Sequence, residues 1–120
     1  MESRYAVNAP DVVNETIDGE VIMINMRSGN YYSLDKVGAD VWSCVEKGLP
    51  VDVVVAELCR LYGADPIAAR AGLDAFFHQL AAEGLVRPAG EHDAAPAEFS
   101  LPDEPARGAF TPPEIGRAHV

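Results

Sequence analysis

No apolar run in these 120 residues approaches the roughly 18 needed to cross a bilayer, so no membrane-spanning helix is expected. The opening residues, MESRYAVNAP, lack the basic head and apolar centre of a secretory signal, which makes the cytoplasm the expected compartment. Positive charge is scarce. Nine Lys and Arg stand against 19 Asp and Glu, for a formal charge of −10. Nucleic-acid affinity is carried by Lys and Arg neutralising phosphates, so neither nucleic acid nor an anionic membrane is an expected partner. A basic partner would suit this surface. Cysteine is limited to Cys44 and Cys59, whose spacing fits neither zinc nor a redox pair. They read as buried, reduced core thiols, with a regulatory role as the alternative. His78, His92 and His119 are too far apart to form a cluster, and His78 reads as a boundary side chain on a helix. There is no nucleophile with a base and no phosphate-binding glycine loop. The expectation is therefore a protein that is not an enzyme and holds no metal or cofactor.

What is present is a hydrophobic content of 48%, enough for one core in one domain. The stretch Val21 to Leu34, VIMINMRSGNYYSL, reads as two strands joined by a tight turn. Ile22, Ile24 and Met26 share one face of the first strand, and Val21, Met23 and Asn25 the other. Gly29 supplies a positive φ for the turn. Upstream, Asp11 to Ile17 has the β-branched content of a strand, and Asp18-Gly19 is a two-residue hairpin signal. Residues 1–10 read as a lead-in. Three strands joined by tight turns make an antiparallel meander. The last of them, Tyr31 to Leu34, is short and ends the sheet. Its unpaired backbone groups are an aggregation hazard or a docking site for another strand. Tyr31 and Tyr32 point to opposite faces, so one belongs to the core, and the sequence leaves open which.

Three helices follow. The first begins near Asp35, a good N-cap, and ends at Gly48, with Val37, Val41, Trp42 and Val45 inward. The second runs from about Val51 to Tyr62 and stops at Gly63. The third has Asp65 as its cap, Pro66 in the first position and Gly84-Leu85 beyond its end near Glu83. Ala69, Leu73, Phe76, Phe77 and Leu80 form its core stripe. Beyond Pro88 the pattern is lost: residues 89–120 carry six acidic and two basic side chains and five prolines. That composition reads as an acidic Pro/Ala-rich tail with no regular element, following a domain at 11–88.

The run from about Val12 to Val86 resembles the PqqD-like family of RiPP recognition elements. The resemblance is carried by Asp18-Gly19-Glu20, by Gly29-Asn30-Tyr31-Tyr32-Ser33-Leu34-Asp35 and by Ala39-Asp40-Val41-Trp42. Asp65-Pro66, Phe76-Phe77-His78-Gln79-Leu80 and Glu83-Gly84-Leu85-Val86 complete it. It implies an α+β, winged-helix-like domain: a three-stranded antiparallel meander followed by three helices. It also implies a non-catalytic peptide chaperone, one that binds the leader of a ribosomally made precursor peptide for a modifying enzyme or leader peptidase. In the family the leader adds as a strand beside the last strand of the meander, against the third helix. Carried onto this chain, one wall is Tyr31, Tyr32, Ser33 and Leu34. The other is Arg70, Leu73, Asp74 and Phe77, with Ala81 beside them. Arg70 and Asp74, one turn apart, equally fit a plain surface pair, and Leu73 and Phe77 equally fit core packing.

Lasso-peptide leaders in such systems carry a Tyr-x-x-Pro-x-Leu pattern. Residues 110–115 of this chain, Phe110-Thr111-Pro112-Pro113-Glu114-Ile115, have the same shape. Phe110, Pro113 and Ile115 are thus candidates for a leader mimic that fills the chain's own groove or a neighbour's, the latter giving self-association. The alternative is a Pro-rich tail that matches by chance. The tail pattern and the lack of a fused enzyme domain favour lasso-peptide biosynthesis, with a pyrroloquinoline-quinone chaperone next. From other classes, a winged-helix DNA binder would need a basic recognition helix, and residues 66–83 carry only Arg70. An inactive enzyme subunit is the third option.

Overall fold

The structure, a computed structural model, describes residues 5–8, 11–34, 36–89, 113 and 115–118. Its centre is the expected meander. Asp18 and Gly19 both take positive φ, 51° and 79°, the geometry of a type I′ turn. That turn joins β2 (Val12–Ile17) to β3 (Glu20–Asn25) in antiparallel register, Ile17 opposite Glu20. Gly29 bends the next connection at φ 78°. There the Asn25 side-chain oxygen accepts from the backbone N–H of Arg27 at 2.9 Å. The third strand of the meander, β4 (Tyr31–Leu34), pairs back onto β3.

α1 (Val37–Glu46), α2 (Val51–Tyr62) and α3 (Pro66–Ala82) cover one face of this sheet. The chain is α+β, a three-stranded antiparallel meander followed by three helices. Val21, Met23, Tyr32 and Leu34 from the sheet meet Trp42, Leu58, Leu73, Phe76 and Leu80 from the helices in one core. Asp65 caps α3 by accepting from the Ala68 N–H, with Pro66 in the first turn. α1 and α3 end alike. Leu49 N–H reaches the Cys44 carbonyl and Leu85 N–H the Leu80 carbonyl, each beside a glycine of positive φ. Both are the six-to-one closure that an αL glycine permits. α1 departs from expectation at its start. Its N-cap is Lys36, at φ 49° and without a side-chain cap, while Asp35 lies outside the described residues.

Three further strands were not expected. Residues 5–8 are more than a lead-in: β1 (Tyr5–Val7) pairs antiparallel with β5 (Val86–Pro88), just after α3. β6 (Gly116–Ala118) falls in the segment expected to hold no regular element. The prolines forbid regular structure only where they stand, and the last of them is Pro113.

Cys44 is buried, Cys59 half-buried, and both are free thiols. Burial, with smaller contributions from the Glu57 and Asp40 carboxylates, pushes the Cys44 thiol from 9.0 up to about 12. The folded state thus holds that proton more tightly than the unfolded chain. Stability linked to Cys44 is intact below pH 9.0 and declines as pH rises towards about 12. At pH 8 a thiol reagent should label Cys44 in the unfolded protein and not in the folded one. Equal labelling before and after denaturant would contradict the buried placement.

Candidate functional site

β4 has two edges. One is taken by β3, with Met23 opposite Tyr32 and Ile22 opposite Ser33. The other carries β6, antiparallel, with Tyr31 opposite Ala118, Tyr32 opposite Arg117 and Ser33 opposite Gly116. Tyr32 and Leu34 point into the core at 2% and 1% exposure, which settles the question the two tyrosines posed. Tyr31 and Ser33 stay half-exposed on the other face.

The wall beside this edge is the C-terminal end of α3, which side chains from three strands or their flanks hold in place. The Tyr32 hydroxyl donates to Glu83 Oε1 at 2.8 Å. Asn25 Nδ2 donates to the Glu83 carbonyl at 3.0 Å and Asn8 Nδ2 to the Gly84 carbonyl at 2.9 Å. Gly84 has φ +74°, and a Cβ there would sit 3.1 Å from Asn25 Nδ2. A side chain at 84 would therefore press on the amide that ties sheet to helix. A cavity of about 460 Å³ opens against this wall, lined by His78, Gln79, Ala82, Glu83 and Ile115.

Ile115, the residue before β6, borders this space. Ile115 packs on the edge of the core and Pro113 is buried. Gly116 meets Ser33 so closely that an added Cβ would lie 2.6 Å from Ser33 Oγ. Of the three residues expected to form a leader mimic, Ile115 therefore packs against the domain, Pro113 is buried, and Phe110 lies outside the described residues.

The helix side of the expected site is placed differently. Leu73 and Phe77 are buried, at 0% and 2% exposure. The Phe77 ring is stacked on Tyr5, with centroids 4.4 Å apart and planes 8° from parallel, so β1 covers it. Arg70 bonds Asp52 of α2 at 2.5 Å and Asp74 at 3.4 Å. The hydrogen bond to Asp52, and then the Asp74 carboxylate, hold this exposed guanidinium above its usual pKa. With Val55, Pro66 and Ile67 these residues border a separate cavity of about 490 Å³ between α2 and α3.

The cause is helical geometry. A row of residues four apart winds about 40° round the axis at each step. Steps of four and three keep Arg70, Asp74, Phe77 and Ala81 within about 60° of one another, whereas Gln79 and Glu83, beside β4, lie about 180° and 220° round from Arg70. His78, Gln79, Ala82 and Glu83, which line the cavity, are the residues that sequence reasoning missed, because they are turned away from the row that runs through Arg70.

Among the described residues no His, Cys, Asp and Glu group could hold a metal ion, and no helix is long and apolar enough to cross a membrane. A family model described as "Coenzyme PQQ synthesis protein D (PqqD)" matches residues 20–86, more than half the chain. A solved structure, "TbiB1 in Complex with the TbiA(beta) Leader Peptide", is similar at 30% identity and a TM-score of 0.64. The match covers 75% of this chain and 99% of that one. No curated protein sequence matches.

Proposed function

The chain belongs to the PqqD family, and from that premise we propose that it binds the leader of a ribosomally made precursor peptide along β4. It presents that leader to a modifying enzyme or leader peptidase and performs no chemistry itself. The observation that carries this reading is that the outer edge of β4 accepts an antiparallel strand, as its pairing with Gly116–Ala118 demonstrates. Main-chain pairing supplies affinity for any extended segment, and the cavity beside α3 supplies selectivity for a side chain of the guest. A structure similar over three-quarters of this chain is a complex with a leader peptide, which supports the same partner class here. The binding wall is then Tyr31 and Ser33 on β4 with His78, Gln79, Ala82 and Glu83 on α3.

Lasso-peptide biosynthesis is the finer assignment. It rests on the aromatic-x-x-Pro-x-aliphatic pattern of residues 110–115. A chaperone of pyrroloquinoline-quinone assembly is the second reading, favoured by the description of the matching family. A DNA-binding role fits poorly. Arg70, the cation on the exposed face of α3, is engaged by two carboxylates.

Isotope-labelled protein titrated with leader peptides of that pattern is the direct test. Amide signals of Tyr31 to Leu34, His78 and Ala82 should shift together, while those of Asp52 and Arg70 stay in place. Binding that moves only the α2–α3 signals would relocate the site and sink the strand-addition mechanism.

A further inference from the structure

The leader edge and the edge taken by β6 are the same edge. β4 is paired to β3 on one side, so only one strand at a time can lie on the other. We propose that β6, with the residues leading into it, is a built-in competitor of the leader, and that capture requires its displacement. The proposal rests on the reading that the leader adds to β4.

Three features suit this segment to occupy the edge and also to leave it. Ile115 borders the α3 cavity and packs on the core, so the tail uses the pocket a guest side chain would need. Gly116 passes Ser33 without a side chain, at a spacing where a Cβ would collide with the Ser33 hydroxyl. The paired stretch is only three residues, Gly116–Ala118, and so short a strand contributes few ladder bonds. Its occupancy comes from attachment. Tethering makes the contact intramolecular, with an effective concentration on the order of a millimolar. A segment whose intrinsic Kd is on the order of 100 µM would then close about ten in eleven chains, lowering apparent leader affinity about tenfold. Stronger pairing would shut the site, and weaker pairing would leave it exposed as a bare sheet edge.

The test uses the full chain and a fluorescein-labelled peptide of residues 110–120, followed by polarisation. Ile115→Asp should release the tail and bind the probe about tenfold more tightly than the unaltered chain. Ser33→Cys/Gly116→Cys, made with Cys59→Ser, locks the tail instead. The Cβ positions at 33 and 116 lie 3.9 Å apart, within the roughly 3.5–4.5 Å a disulfide requires. The oxidised form should reject the probe, and reduction should recover at least tenfold in affinity. Equal probe affinity in the unaltered and Ile115→Asp chains overturns the proposal, as does an oxidised double-cysteine form that still binds. Leader peptides of the aromatic-x-x-Pro-x-aliphatic pattern form a second arm. If Ile115→Asp takes the tail peptide more tightly but refuses every leader, self-occupancy stands and the leader reading falls.

Discussion

Leu34→Glu is expected to show no cooperative thermal transition. Leu34 is 1% exposed, pairs with Val21 across the sheet and sits among the core residues beneath α1. Removing it forfeits about 1.5–3 kcal/mol of apolar burial. The carboxyl put in its place has to ionise in the core or take up a proton there, at several kcal/mol more. The sum rivals the whole stability of a domain this size, about 5–15 kcal/mol. Leu34→Met, similar in volume, should cost under about 1.5 kcal/mol and melt cooperatively. Circular dichroism on the pair decides it. If Leu34→Glu melted within a few degrees of the unaltered chain, the inward placement of Leu34 would be wrong. Phe77→Asp should behave as Leu34→Glu does, because it inserts a charge beneath the Tyr5 ring. Loss of peptide capture in either variant would report lost structure rather than a lost contact.

Ala82→Trp is expected to keep the fold and lose the guest. Ala82 is exposed at the last position of α3 and lines the cavity beside β4. An indole there fills the space that a guest side chain would enter. Stability should move by no more than about 0.5 kcal/mol, as for other exposed positions, while leader affinity falls at least tenfold. Ile115 borders the same cavity, so the substitution also disturbs the tail. The comparison is therefore made in an Ile115→Asp background, where the tail no longer competes. Arg70→Ala in that background should leave leader affinity within about twofold, since its ion pairs are exposed and such pairs contribute little. Should Arg70→Ala abolish capture and Ala82→Trp preserve it, the guest lies against α2 instead.

The meander and the helix ends were legible because each rests on short-range chemistry. Asp18-Gly19 can be little other than a hairpin turn, and Asp65-Pro66 little other than a helix start. Gly84-Leu85 closes α3 as its residue types require. What could not be read was long-range. Tyr5–Val7 finds its partner some eighty residues away, and three residues carry too little pattern to announce a strand. Which tyrosine faces inward depends on the register of β4 against β3, and the sequence of β4 alone does not set it. Which flank of α3 borders β4 is likewise a long-range matter. The row through Arg70, Asp74, Phe77 and Ala81 runs straight along one flank, and the cavity beside β4 is lined from another, about half a turn round at Gln79.

The amides of Asn8 and Asn25, with the Tyr32 phenol, rivet the sheet to the far end of α3. The slot between β4 and that helix is thereby given its width before any visitor arrives. Nearly all of the ordering on association must then be borne by the incoming polypeptide. A stapled or cyclised leader held straight in advance should gain from its rigidity, whereas stiffening the receiving domain should change little.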